Sequence, residues 1–393
     1  MSLSASLSPM SSPHSLATLL SDPGDPLPIQ TPSTVSELAG ILKECQGRKV
    51  LPLGQGSKWG WAHSVEPVDL VLSTRGLRRL IDHAAADLTV TVEAGMTLAE
   101  LQHILAERGQ WWPVDPLYPE RATLGGIIAT ADTGSLRWRY GGIRDLLLGI
   151  AWVRADGEVA KAGGRVVKNV AGYDLMKLFT GSLGSLGILT QVSLRLYPLP
   201  AAQSTLLAIG SLPELEVLCR QVLTGPVNPV GVDLWLRAEG SQVWLSFHGS
   251  ERAIAQQMAQ TRRLAPAGLT LQEVNPDSLS LPQPGSGAVL AKFGCLPNQS
   301  LATLEQFQTL FPGAQVQLHR GCGLGRAWLV QPEVGSLMQL QRYLKSAGGF
   351  LLLLEAPPAL KKALAHDFGP VASLMRKLKQ QFDPAGTFSP SLI

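Results

Sequence analysis

Hydrophobic and polar positions follow two rhythms along this chain. In the first, short apolar runs end in glycine-rich turns. Val35, Leu38, Ile41 and Leu42 recur at helical spacing behind Thr31-Pro32-Ser33-Thr34, which predicts a capped amphipathic helix. Lys49–Leu53 predicts a short strand, and the alternating, β-branched run Leu88–Glu93 predicts another. Gly95 ends that strand. Thr97 and Glu100 then stand at capping-box spacing, ahead of the apolar stripe Leu98, Leu101, Ile104 and Leu105. Leu146–Val153 predicts a strand running into the hairpin turn Ala155-Asp156-Gly157-Glu158, and Ile188–Leu196 the last strand of this block.

Tyr197-Pro198-Leu199-Pro200 is the best domain boundary, and the rhythm changes beyond it. Strands at Ser204–Ile209, Gly231–Leu236 and Gln242–Phe247 are interleaved with helices at Pro213–Leu223 and Arg252–Leu264. A similar order recurs from Gly287 to Leu354 without any residue-level repeat. The proline-bearing stretch Asn275–Gly287 reads as a loop between the two halves. Val371–Phe382 predicts a basic amphipathic helix, followed by a turn-rich terminus. Met1–Pro28 is rich in Ser and Pro, lacks the basic and apolar regions of a secretory signal, and reads as a disordered tail.

Three glycine-rich turns carry the candidate chemistry: Leu53-Gly54-Gln55-Gly56-Ser57-Lys58, Thr123-Leu124-Gly125-Gly126, and the run with Gly181, Gly184 and Gly187. Glycines three apart make a poor helix, at a cost of about 1 kcal/mol each. They do let backbone approach a flat or phosphorylated ligand, and three such turns in one block suggest one large cofactor held by backbone. The first turn follows a predicted strand, so its successive N–H groups can form an anion nest, with Ser57 and Lys58 as further donors. It is neither a Walker A loop nor a dinucleotide fingerprint. Taken singly it also reads as a plain surface turn, and the second as a close-packed helix start.

Composition narrows the classes. A chain of 393 residues exceeds the usual single domain, so two are expected. A net charge of +3 with no Lys/Arg block argues against nucleic-acid binding. Cys45, Cys219, Cys295 and Cys322 are far apart, which argues against an iron–sulfur cluster or zinc ribbon in this chain and fits reduced thiols in the cytoplasm. No apolar run reaches the roughly 18 residues that span a bilayer.

Other residues have two readings. Trp59, Trp61, Trp111 and Trp112 either stack on a flat ligand or fill core and rim. Arg137-Trp138-Arg139-Tyr140 either steers an anionic substrate or partner, or forms a solvated loop. Tyr173 and Asp174 either handle protons or form a turn in which Asp174 caps Leu175–Phe179. His319 and Cys322, with Gly321–Gly325, are candidates for a substrate loop rather than a metal site.

Taken jointly, these segments resemble a known family. Leu51–Ser57, Val92–Gly95, Pro113-Val114-Asp115-Pro116, Ala122–Gly126, Arg144-Asp145 and Gly184–Thr190 are similar to the FAD-binding domain of the vanillyl-alcohol oxidase/PCMH superfamily, in its lactate- and glycolate-oxidising branch. Phe382–Pro390 resembles that family's closing motif, with Ser389 where Asn is usual. Lys168–Leu175 and the short cap are similar to the FAD-binding subunits of glycolate oxidase. The resemblance implies an α+β fold: a PCMH-type two-subdomain FAD-binding domain over 28–200, a smaller α+β cap over 201–370, and a segment 371–393 returning to the first domain.

It also implies non-covalent FAD, since the first loop lacks the His to which family members often link their flavin. Leu53, Gly54, Gln55, Gly56, Ser57 and Lys58 would hold the pyrophosphate. Asp115, Pro116, Thr123, Leu124, Gly125 and Gly126 would line the flavin and ribityl chain, and Gly184, Gly187 and Ile188 the adenine side, with Thr130, Arg144 and Asp145 nearby. Leu183 stands where the catalytic subunit usually has Glu, and no His-x-His pair occurs. The implied function is therefore an FAD-binding, electron-transfer or assembly subunit of a glycolate oxidase. Its implied partners are a catalytic flavoprotein subunit and an iron–sulfur subunit, and its substrate a small 2-hydroxy acid. The implied location is cytoplasmic, peripheral at the inner membrane through partners. A self-sufficient 2-hydroxyacid dehydrogenase and a non-enzymatic scaffold with a vestigial FAD fold are the alternatives.

Overall fold

The computed structural model describes residues 27–61, 67–165, 173–276, 281–282, 288–364 and 368–389. The Ser/Pro-rich tail, Lys168–Gly172 and most of the Asn275–Gly287 loop lie outside the described residues. The chain opens with β1 (Ile29–Gln30), the helix Val35–Glu44 and β2 (Val50–Leu53). Thr34 caps that helix by accepting from the Glu37 N–H. β3 (Leu70–Ser73) pairs in parallel with both β1 and β2. β4 (Leu80–Ala84) and β5 (Thr89–Glu93) follow, and the Thr97–Glu100 capping box starts the helix Leu98–Ala106.

β6 (Gln110–Trp111), β7 (Leu147–Val153), β8 (Val159–Gly163), β9 (Ile188–Arg195) and β10 (Tyr197–Pro198) complete the first half. β4, β5, β9, β7 and β8 form one antiparallel sheet in that order. Leu146, expected to begin a strand, instead ends a short helix, Ile143–Leu146, because Asp145 turns its carboxylate back to the Gly142 N–H. Tyr197–Pro198, in the expected linker, pairs with β6.

The second half is β11 (Ala202–Gly210), β12 (Gly231–Arg237), β13 (Gly240–Gly249), β14 (Thr270–Val274), β15 (Ala288–Gly294), β16 (Gln315–His319), β17 (Leu324–Val330) and β18 (Phe350–Glu355). These make one sheet in the order β14-β11-β13-β12-β16-β17-β15-β18. The order is two βαββαβ units set edge to edge, β12 against β16. The rhythm that recurs without sequence identity is therefore a repeat of architecture. One face packs the helices Leu212–Thr224, Glu251–Leu264, Ser300–Leu310 and Val334–Ser346 over Leu206, Leu234, Leu245, Phe293, Leu318 and Leu353. The other face carries Leu207, Trp235, Trp244, Leu290, Trp328 and Leu354, clustered with Trp61 and Leu117 of the first half. A sheet buried on both sides explains strands with little polar alternation.

The chain then returns. After the helix Val371–Phe382, Phe388 bridges Val50, the first residue of β2. The turn is tied by Asp383, whose buried carboxylate accepts from the N–H groups of Thr387 and Phe388, each at 2.8 Å, and pairs with Lys379. Asp383→Ala leaves two buried N–H donors without their acceptor and removes the counter-charge of Lys379, which keeps the Ser185 and Phe388 carbonyls. It is expected to cost about 2–4 kcal/mol, read as a lower urea midpoint.

Candidate cofactor groove

β2 ends at Leu53 and delivers the chain into the turn Gly54–Lys58. The N–H groups of Gln55, Gly56, Ser57 and Lys58 meet no acceptor among the described residues. Gly56 sits at φ +75°, a left-handed conformation that glycine adopts without strain. Gly54 lies so close to the facing turn that a Cβ there would fall 2.2 Å from Thr123 Oγ1. Glycine is needed at this position for close approach.

The facing wall is the start of the helix Leu124–Thr130. Thr123 caps it through the Gly126 N–H at 3.3 Å. The N–H groups of Leu124 and Gly125 already donate to Met96 and Ala94 carbonyls, so this wall offers shape and small residues rather than free donors. Ser182–Gly184 and Gly187–Leu189 close the far side. Gly184 has φ +80°, and Gly187 packs its bare Cα against Trp152. Leu183, a non-glycine residue at φ +52°, is anchored by its N–H to the Ala129 carbonyl.

The structure thus brings Leu53 to Lys58, Thr123, Gly125, Gly126, Thr130, Gly184, Gly187 and Ile188 around one groove, joined by Leu51, Pro52, Trp59, Thr74 and Leu189. Five other candidates are placed elsewhere. Asp115 turns its carboxylate to the N–H groups of Gly134 and Leu136, at 2.9 and 3.1 Å. Pro116 is buried beside it, and Leu124 is fully buried in the core. Arg144 and Asp145 are exposed on the short helix.

Lys58 is the residue where groove and cap meet. Its ammonium is buried and stands 3.0 Å from Asp132 Oδ2. Asp132 also accepts from the Leu117 N–H at 2.7 Å and from Arg326 of β17 at 2.9 Å, while Arg326 reaches the Thr133 carbonyl at 3.0 Å. Burial pushes the Asp132 carboxyl up, but Lys58 and Arg326 outweigh this and hold it below its ordinary value. Composition and spacing gave no sign of this triad, because Asp132 and Arg326 are 194 residues apart. The available signal was Arg326, a lone charged residue within the otherwise apolar run Leu324–Val330.

A second contact joins the same turn to the cap. Glu355 accepts from Trp61 Nε1 at 3.2 Å and from the Tyr118 hydroxyl at 3.0 Å. Lys361 donates to the Gly60 and Leu354 carbonyls. Burial lowers the Lys361 ammonium to about 8 from its ordinary 10.5. Between those two values the unfolded chain keeps a proton that the folded chain has released, so stability rises with pH across that window. Compared with Lys361→Met, the wild type is expected to gain on the order of 1 kcal/mol per pH unit from pH 8 to 10, measured by urea unfolding.

Of the remaining candidates, Trp59 lines the groove, Trp61 and Trp112 are buried, and Trp111 meets Tyr140 edge-on at 5.5 Å. Tyr140 bonds His248 of β13 at 3.2 Å. Tyr173 is exposed, and Asp174 pairs with Lys177 rather than capping the helix Met176–Phe179. His319 is buried and bonded to Asp233.

The groove fits FAD on two observations of the chain itself. Four consecutive orphan N–H groups suit a pyrophosphate, and a glycine wall that a Cβ would fill suits a close-lying flat group. Comparison with known proteins agrees. Residues 26–163 match the FAD binding domain family. Glycolate oxidase subunit GlcE of Escherichia coli (strain K12) is 30% identical over 325 residues, which cover 81% of this chain and 85% of that protein. The chain belongs to the GlcE family. It is a member of the PCMH-type FAD-binding superfamily, and FAD is its cofactor.

Other relatives match mainly in part. Glycolate oxidase subunit GlcD of Bacillus subtilis (strain 168) is 33% identical over 45% of this chain and 38% of its own length. A probable mitochondrial D-lactate dehydrogenase of Danio rerio is 31% identical over 59% of this chain and 50% of its own length. Alkyldihydroxyacetonephosphate synthase superposes with a TM-score of 0.69 at 15% identity, covering 91% of this chain and 75% of that one, a likeness of fold. No helix among the described residues is long and apolar enough to cross a membrane.

Proposed function

We propose that this chain is the FAD-binding subunit of a multi-subunit glycolate oxidase, working beside a catalytic flavoprotein subunit and an iron–sulfur subunit. The substrate class is the small 2-hydroxy acids, with glycolate going to glyoxylate. The observation that carries the reading is the groove between Gly54–Lys58 and Thr123–Gly126, in a chain similar to GlcE over most of that protein's length. Residues 28–200 form the FAD domain, 201–370 the cap and 371–393 the returning segment.

Bound FAD supplies hydride acceptance and onward one-electron release. The protein's part is positioning. Gln55–Lys58 would donate to the pyrophosphate, Gly54, Thr123, Gly125 and Gly126 would set how close the ring system lies, and Leu183, Gly184, Gly187 and Ile188 would hold the far end. The Lys58–Asp132–Arg326 triad and the Glu355–Trp61 bond fix the cap over the first turn. Leu183 puts an apolar side chain where the catalytic subunit's resemblance places Glu, which favours an electron-transfer or assembly role here. The complex is cytoplasmic and reaches the inner membrane through its partners.

The test is glycolate-dependent dye reduction by the co-expressed complex with and without this chain. Loss of most activity on omission is expected. Full activity of the other subunits without it would overturn the assignment.

A further inference from the structure

The helix Val371–Phe382 is amphipathic, but only one end of its apolar stripe is packed. Val371, Leu374, Met375, Leu378 and Phe382 fall within an arc of about 100° around the helix axis. Phe382 is anchored in the FAD domain, with its ring centroid 5.7 Å from that of Phe179 and 6.5 Å from that of Trp152. Toward the other end the stripe lifts away. Met375 and Leu378 are half-buried, and Val371 and Leu374 are 54% and 57% exposed. A surface helix ordinarily buries its apolar stripe against the core, yet no residue of this helix is fully buried.

A cavity of about 520 Å³ lies along the stripe. Met375 and Leu378 line it from the helix, and Leu178 and Leu186 from the FAD domain. Leu178, on the short helix Met176–Phe179, is itself 38% exposed.

The charge around this cavity is one-sided. Lys49, Lys177, Arg376 and Lys379 line it, against one acid, Asp383. That acid is already committed to Lys379 and to the N–H groups of Thr387 and Phe388. Lys177 pairs with Asp174, while Arg376 makes no ion pair or hydrogen bond among the described residues. The helix adds Lys377 and carries no acid of its own.

Length and sign decide what fits. The apolar strip runs past the cavity to Val371 and Leu374, along a helix of 12 residues, about 18 Å long. A small molecule filling the cavity would leave those two side chains in water, whereas a segment of comparable length covers the whole strip. A second copy of this chain would bring like charges face to face, whereas a segment bordered by carboxylates meets the cations.

We propose that this face docks an amphipathic helix of a partner subunit, its apolar side over Leu374, Met375 and Leu178 and its acidic border against Lys177 and Arg376. The proposal rests on the reading of the chain as one subunit of an oxidase complex, and it names the surface by which the chain joins.

The test co-expresses the full chain with the catalytic flavoprotein and iron–sulfur subunits, and isolates the complex through a tag on the catalytic subunit. Wild type is expected to be recovered in the complex. Leu374→Asp, and separately Arg376→Glu with Lys377→Glu, are expected to lower its recovery by about tenfold or more. All three positions are exposed, and FAD content and urea midpoint, expected to match wild type, are measured on each variant purified alone. Val330→Asp, at a position 77% exposed on β17 of the cap, is expected to join the complex like wild type. Added salt is expected to weaken assembly of the wild type more than that of Leu374→Asp assembles less at any salt, because the charge border is screened and the apolar strip is not. Variants recovered as fully as wild type would overturn the proposal. So would co-sedimentation of the lone chain with phosphatidylglycerol vesicles that the same changes abolish, which would assign the face to an anionic lipid surface. A wild type that never enters the complex would instead overturn the subunit reading itself.

Discussion

Gly54→Ala is expected to strip FAD from the chain, with binding weakened by about 100-fold or more, equivalent to about 2.7 kcal/mol. The reason is local. The new methyl would lie 2.2 Å from Thr123 Oγ1 and 3.0 Å from Thr123 Cγ2, so the turn or the facing helix start must move. Either movement displaces the N–H groups of Gln55–Lys58 relative to the facing wall. The predicted clash is with one side chain, so a second substitution checks the mechanism. Thr123→Ala in the Gly54→Ala background removes both of the closest atoms and is expected to recover part of the affinity. Thr123→Ala alone loses a helix cap worth about 1 kcal/mol and is expected to keep FAD. Equilibrium FAD titration of the three variants, with thermal unfolding of the apo chains, separates cofactor loss from misfolding. A Gly54→Ala chain that holds FAD as tightly as wild type would refute the close-approach argument.

The second large effect is expected at Arg326. Its guanidinium reaches from the cap to Asp132 Oδ1 and the Thr133 carbonyl, with both charged side chains almost wholly buried. Arg326→Met removes one of two cations from a buried carboxylate, and breaking a buried pair costs about 3–5 kcal/mol. Asp132→Asn added to Arg326→Met is expected to cost much less than the sum of the single changes, because the uncompensated charge is gone. The pH sign follows from Asp132. Its folded-state carboxyl lies below the unfolded one, so its contribution is present in full above the ordinary carboxylate range and fades as acid protonates the folded form. The stability gap between wild type and Asp132→Asn is therefore expected to hold at neutral pH and to shrink in acid, as followed by urea midpoints. A gap that does not change with pH would mean that Asp132 acts through shape alone.

The sequence showed local geometry well and long-range chemistry poorly. The Thr97–Glu100 capping box, the turn after β7 and the glycine turns all depend on neighbours within a few residues, and each is recognisable from those neighbours. The groove's wall came together from segments legible one by one. Asp115 was misplaced on the groove wall for the opposite reason. The motif Pro113–Pro116 is recognisable from its own residues, but where its carboxylate points depends on the loop at Gly134–Leu136. The cap's two βαββαβ units were visible as a rhythm, whereas their joining through β12 and β16 has no local signature. The polar centre of the cap face was hidden by burial on both sides of the sheet. In strands such as Gly231–Arg237 and Leu324–Val330, a buried charged residue, Asp233 or Arg326, looks like a flaw in the core until the facing domain is in place.

The most direct measurement is the absorption spectrum of the purified chain, reconstituted with FAD and desalted, before and after acid precipitation. The account predicts flavin bands at one FAD per chain, all released into the supernatant by acid, and their loss in Gly54→Ala. A colourless wild-type chain after reconstitution would contradict the assignment of the groove and everything built on it.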